Sequence, residues 1–381
     1  MSSISVFTSQ PGKFIFTLWA IVINVIKLPF WSLYFIPPVL RPNPKWTYQQ
    51  AMRVRILKSW LAYISTIEIK TPMDLRPGAE DDRFVTINPG NSDRYIGVVA
   101  QDQEIIPQTI SGTWYPARPR LSSDVGKVAL HFHGGAYVIG NGRTPDAGFA
   151  AGTILTNTMV THVFCPQYRL ASNPGGRFPA FLQDAITSIL YVSDELGIPA
   201  KHIAISGDSA GGHLCLALLR YITDHPEAKL TTPACAWLWS PWGNPAAALE
   251  PGAMGKQHNE PTDYLVERFG AWGAHSIRPS EASGITLGHP SICISGNAFA
   301  TPTPLLFLAG ESEVLYDDIV KLYEEFKVIK GNIVGLEVMK DAVHDIILIG
   351  SFVRFVCEAR LAAKSADEFW KRTTSLRQFQ H

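Results

Sequence analysis

From residue 126 onward, short apolar runs rich in β-formers alternate with helical stretches, and this alternation constrains the fold more than anything else in the sequence. Residues 126–133, 159–165, 202–207, 233–240, 303–309 and 333–339 read as strands, and residues 182–196 and 210–222 read as helices. Buried strands joined through helices imply a mostly parallel sheet covered on both faces, because each crossover returns over one face. The expected class is therefore α/β. Residues 242–300, rich in Gly, Pro and Ser, interrupt the alternation and are expected to form an insertion that supplies a cap, lid or pocket wall. Residues 72–95 read as a loop, and residues 48–67 as an amphipathic helix. The division expected is an apolar N-terminal segment and cap region over 1–75, followed by a main domain over 76–381.

Charge sets aside one class of partner. The chain has 33 basic and 33 acidic side chains and no basic run interleaved with aromatics, so nucleic acid is not an expected partner. With 46% hydrophobic and 17% charged residues, it suits a large core and an apolar binding surface. Five scattered cysteines form neither a disulfide framework nor a zinc pattern, and buried free thiols in a reducing, intracellular setting are the plain expectation. No metal or cofactor is called for.

The N-terminus stands apart. Residues 14–26 carry no charge, and apolar sequence resumes after Lys27 as far as Leu40. Thirteen uncharged residues fall short of the roughly 20 a spanning helix needs, and Pro29, Pro37 and Pro38 are expected to break the second half. No basic n-region beyond Lys13 and no small-residue cleavage site are evident, so a cleaved signal peptide is not expected. Three readings stay open for residues 14–40: a membrane anchor at the endoplasmic reticulum, an interfacial helix pair, or an apolar cap over the site of an otherwise cytoplasmic protein.

The residues that carry chemistry cluster at strand ends. Gly207-Asp208-Ser209-Ala210-Gly211-Gly212 places a serine in a G-x-S-x-G turn directly after an apolar strand and before an apolar helix. That turn exposes a hydroxyl, and the helix start at Ala210 offers a free N–H to a developing oxyanion. His133-Gly134-Gly135-Ala136-Tyr137 follows another strand, and the amides of Gly134 and Gly135 are expected to converge on the same oxygen. His344, after the last strand, is the candidate base.

These motifs, with Tyr168-Arg169-Leu170-Ala171 and Phe178-Pro179-Ala180 followed by Asp184, occur in the order and near the spacing of the hormone-sensitive-lipase-like branch of the α/β hydrolases. The sequence resembles that branch over roughly residues 110–350, with Ala136 where many members carry a third glycine. The resemblance implies an α/β-hydrolase fold with an eight-stranded, mostly parallel sheet, a partly N-terminal helical cap, and hydrolysis of carboxylic esters. It also implies a Ser209–His344 pair completed by an acid. Its acid motif falls on residues 310–317, so register puts Glu313 at the triad position and Asp317 at a later structural carboxylate, with Asp317 kept as the alternative acid. Asp184, Asp208, Tyr168 and Arg169 are implied as braces, and His131 and His213 are given no chemistry. The expected substrate is an apolar ester or natural product. Acyl transfer or ring formation in secondary metabolism uses the same triad and is an open alternative, as is a non-catalytic small-molecule receptor on this scaffold.

Overall fold

The computed structural model describes residues 6–119 and 125–378, so the first five residues of the N-terminal segment lie outside the described residues. Eight strands form one sheet: β1 (Phe84–Ile87), β2 (Ile110–Tyr115), β3 (Val128–Phe132), β4 (His162–Gln167), β5 (Ile203–Asp208), β6 (Cys235–Trp239), β7 (Leu305–Gly310) and β8 (Val334–Met339). Their order is β1-β2-β4-β3-β5-β6-β7-β8. The pairs β1–β2 and β2–β4 are antiparallel, and every pair from β4–β3 through β7–β8 is parallel.

β1 lies inside the stretch expected to be a loop, and β2 was not anticipated. Both sit on the antiparallel side of the sheet, where strands need no helical crossover and so leave no alternation to read. In the parallel half the expected runs form strands within two residues at either end, except at 159–165, where the start moves by three. β3, β5, β6 and β7 are buried along their whole length, as a sheet covered on both faces requires.

Helices cover the sheet. They are α3 (Thr144–Asn157), α4 (Ala180–Leu190), α5 (Ala210–Asp224), α7 (Tyr316–Lys327), α8 (Ile346–Val353) and α9 (Val356–Gln378), with α6 (Glu267–Ser276) in the insertion. Ahead of the sheet stand α1 (Gly12–Tyr34) and α2 (Tyr48–Ile67). α2 begins at a capping box in which the Gln50 amide donates to Thr47 Oγ1 at 3.2 Å and the Thr47 amide donates to Gln50 Oε1 at 2.8 Å.

α1 corrects one expectation. It runs unbroken through Lys27 and Pro29 for 23 residues. Proline removes a single N–H, and one missing bond does not end a helix that is braced along its length. The brace is α2, laid antiparallel: Thr17 meets Tyr63 at 3.1 Å, the Arg55 guanidinium sits 4.8 Å from the Trp31 ring centre, and Tyr48 Oη donates to Ser32 O at 3.2 Å. Only 11% of its most apolar window is buried, and it is long and apolar enough to cross a membrane.

Candidate active site

At the end of β5 the chain turns sharply into α5, and Ser209 occupies the turn with φ +50° and ψ −111°. That conformation is strained for a residue with a side chain and must be held from outside. Three bonds hold it: the Ser209 amide donates to Trp239 O at 2.8 Å, and Ser209 O accepts the amides of Trp242 at 3.0 Å and His213 at 3.1 Å. The flanking glycines permit the bend. A Cβ on Gly207 would strike the Gly211 carbonyl, and one on Gly211 would strike the carbonyl of Phe132. The Ser209 side chain makes no capping bond to α5 and lines a pocket with Ala136, Trp242, Met254, Leu265 and Phe269.

Across the pocket, two loops deliver a buried acid and base. His344 Nδ1 lies 2.7 Å from Glu313 Oε2, while Glu313 Oε1 accepts the Gly310 amide at 2.8 Å. Both side chains are sealed from solvent. Burial opposes a charged imidazole, but the hydrogen bond and negative charge of Glu313 outweigh it and raise the His344 pKa above its ordinary value. Asp317 takes no part. It is exposed on the first turn of α7, so of the two acids only Glu313 reaches the imidazole.

The serine and histidine turns touch through their neighbours. The carboxyls of Asp208 and Asp345 are both buried and interact through their charges, and the Asp345 amide donates to Ser240 Oγ at 3.0 Å. Two interacting carboxylates shielded from solvent disfavour each other's charge. Burial and the Asp208 charge push the Asp345 pKa far up. Asp208 is stabilised as the anion by His131 Nε2, 3.1 Å away.

That anion corrects one expected oxyanion donor. The Gly134 amide donates to Asp208 Oδ2 at 2.6 Å, so its hydrogen is committed and unavailable to a substrate. Among the described residues, no acceptor within the chain takes the amides of Gly135 and Ala136, the next two in the turn. Ala136 has φ +50° and borders the pocket beside Ser209. The Ala210 amide opens α5, where helix geometry leaves it without an intrahelical partner. The residues around the turn brace it. Tyr168 Oη donates to His133 O at 2.6 Å, and the two rings stack with centroids 4.3 Å apart. His213 Nε2 lies 2.7 Å from Ile292 O and its Nδ1 lies 2.6 Å from Tyr137 Oη. Burial lowers the pKa of His133 and of His213 to about 4, which keeps both neutral. Arg169 pairs with the buried Asp184 at 2.7 Å.

The model of the α/β-hydrolase fold family matches residues 129–348, more than half the chain. The chain belongs to the α/β-hydrolase family. Within it, the similarities fall in the hormone-sensitive-lipase-like branch. An arylesterase of Saccharolobus solfataricus is 38% identical over 107 residues, 27% of this chain and 33% of that one. An acetyl-hydrolase of Streptomyces hygroscopicus is 29% identical over 200 residues, 51% of this chain and 59% of that one. The matched segments thus span from a third to about three-fifths of these curated relatives. Among solved structures, an esterase/lipase from an uncultured bacterium superposes with a TM-score of 0.56 at 24% identity, covering 84% of this chain and 98% of that one. The esterase of Pyrobaculum calidifontis superposes at 0.58 with 18% identity, covering 88% and 95%. Both likenesses concern the fold.

Two features of this site escaped the sequence. The Ala136 amide had no local signal, since it is Asp208, more than seventy positions away, that claims the Gly134 hydrogen. Asp263 had none either. It is one of five acids in the insertion, and it is buried against the His344 and Glu313 loops.

Proposed function

We propose that this chain is a serine carboxylester hydrolase acting through Ser209, His344 and Glu313. Support comes above all from the sealed His344–Glu313 bond of 2.7 Å, whose acid is followed by Val314 and Leu315 in the wall of the pocket that Ser209 also lines. Such a bond leaves Nε2 as the basic nitrogen and stabilises the imidazolium once a proton arrives. His344 takes the hydroxyl proton as Ser209 Oγ bonds to the ester carbonyl carbon. The amides of Gly135, Ala136 and Ala210 receive the carbonyl oxygen as its charge grows. The C–O bond to the alcohol then breaks, and the alcohol leaves with the proton held by His344. Water, deprotonated by the same imidazole, releases the acid and regenerates Ser209. The relatives named esterase, arylesterase and acetyl-hydrolase agree with this chemistry. The pocket wall of Ala136, Trp242, Met254, Leu265 and Phe269 suits an apolar group on the ester. A series of p-nitrophenyl esters of increasing acyl length, run on the full chain and on Ser209→Ala, tests the reading. Turnover and fluorophosphonate labelling should vanish together in the variant, and labelling that persists there would remove Ser209 from the mechanism.

We further infer that the outer face of α1 rests on a lipid surface, in the plane of the membrane. The favouring observation is the antiparallel seam with α2, which holds α1 along the protein while Trp19, Val22, Ile26, Phe30 and Leu33 stay exposed. Flotation with vesicles and release by alkaline carbonate distinguish this placement from a spanning one, which carbonate leaves in the bilayer.

A further inference from the structure

The insertion between β6 and β7 does more than wall the pocket. Its segment 259–263 grips the loop that carries Glu313, residue by residue. Asn259 Nδ2 donates to Glu311 O at 2.8 Å and to Glu313 O at 3.1 Å, and Thr262 Oγ1 donates to Ser312 O at 2.8 Å. Asp263 completes the grip and extends it. Its Oδ2 accepts the Val314 amide at 2.7 Å, while its Oδ1 accepts the amides of Tyr264 at 2.7 Å and His344 at 3.4 Å. One carboxylate thereby bonds to the residue after the acid and to the base itself. It is 1% exposed, so water does not share these bonds.

From these contacts we propose that Asp263 is a positioning residue of the triad, locking the Glu313 and His344 loops in register and adding a second buried negative charge beside the imidazole. The proposal rests on the triad reading above. Its chemistry follows from what the oxygens meet. Burial raises the Asp263 pKa, but every hydrogen bond recorded to its oxygens comes from an N–H group, so the ionised form is matched and a protonated one would waste a donor. The groups facing His344 are Glu313 from its own loop, Asp263 from the insertion, Asp208 from the end of β5 and the Tyr264 ring at 5.9 Å. Burial and the Asp208 charge push the pKa of its neighbour Asp345 far up. Asp263 and Glu313 therefore act in the same direction, each favouring the imidazolium formed as Ser209 is deprotonated. The insertion also ties the pocket to the base, because Leu265, two residues on, lines the cavity.

The test compares Asp263→Asn with Asn259→Ala in the full chain, using a short p-nitrophenyl ester. Asp263→Asn keeps the shape but loses the charge and turns an NH2 toward amide donors. It should lower kcat on the order of 10-fold to 100-fold with KM little changed, since a displacement of about 1 Å can cost that much. It should also move the acid limb of the kcat/KM profile to lower pH by about half a unit or more, because an imidazole with less negative charge nearby loses its proton more readily. Asn259→Ala removes two grip bonds and no charge, so it should lower kcat and leave the acid limb in place. If Asp263→Asn does not fold, Asp263→Ser, which admits water to the amides of Val314 and His344, should give the same shift. An unmoved limb with kcat within about twofold of the parent, in whichever Asp263 variant folds, overturns the proposal. Ser209→Ala run alongside separates the two readings: if it abolishes turnover while the Asp263 variants match the parent, the triad stands and the positioning role falls.

Discussion

The parallel half of the sheet and helix α1 are both built from apolar residues, yet they use them in opposite ways. Along β3, β5, β6 and β7 every side chain is buried, and the polar groups that cluster at the strand ends are paired with one another. Along α1 the helix is just as apolar, but Phe14, Leu18, Val22, Ile26, Phe30 and Leu33 face outward. Apolar surface that the protein does not cover itself marks a contact with something else. The first region makes a rigid frame in which a strained serine can persist. The second presents a face whose partner is external. If this contrast is right, variants in one region should leave the other's property untouched.

The largest separation is expected for Ser209→Ala. Turnover of soluble esters should fall by about 10⁴-fold or more, while vesicle binding stays at the parent level. A steady-state assay and flotation of the same preparation check both halves, and loss of lipid binding in this variant would break the comparison.

Next comes Glu313→Gln, expected to cost on the order of 10³-fold in kcat, because a neutral amide neither fixes the imidazole tautomer nor stabilises its cation. The pH dependence carries a sign. The raised pKa of His344 puts the acid limb of the native profile above the ordinary imidazole value of 6.5, with activity lost as pH falls through it. Removing the Glu313 charge lowers that pKa, so the residual activity should persist to lower pH. Asp317→Asn, at an exposed position on α7, should leave rate and profile unchanged.

The same contrast explains what could be read from sequence. Ser209 and His344 were legible because catalytic groups at the ends of parallel strands come with strong local punctuation: glycines that permit the elbow, and a loop after the final strand. The parallel strands themselves were legible as unbroken apolar runs between helices. The register of the acid motif singled out Glu313, whose bond to His344 is the one the structure holds. Which amide of the glycine turn points into the pocket was not legible. Asp208, more than seventy positions away, claims the Gly134 hydrogen, and no local pattern encodes that choice. Asp263 was hidden for a related reason, since its partners Val314 and His344 lie 51 and 81 positions further on. β1 and β2 were missed because antiparallel strands on one side of the sheet lack the helix-strand rhythm. α1 was misjudged at Pro29 because proline's cost was weighed without the packing of α2 that offsets it.

A third variant acts on the outward-facing helix. Val22→Lys with Ile26→Lys puts two charges on positions that are 57% and 64% exposed. Vesicle binding should fall by about 10-fold or more, and turnover of a water-soluble ester should not change. Thermal unfolding without lipid should also be unaffected, because neither side chain is packed. A lower melting temperature would mean that this face is covered by the protein itself and is no lipid contact.

The smallest expected effect decides how α1 is held. Thr17 Oγ1 donates to Lys13 O at 2.8 Å, so in the 3.1 Å contact between α1 and α2 it is Tyr63 that donates to Thr17. Tyr63→Phe deletes that hydrogen bond and keeps the ring, including its stacking with Phe16 at 6.2 Å. One half-buried hydrogen bond is worth about 0.5–1.5 kcal/mol, which in a chain of this size lowers Tm by about 1–3 °C. The loss should appear equally with and without vesicles if α1 stays laid on α2 at the membrane surface. A helix that leaves α2 to cross the bilayer breaks the seam on its own, and the variant would then match the parent once vesicles are added. Differential scanning calorimetry in the two conditions therefore separates a helix lying in the membrane plane from one passing through it.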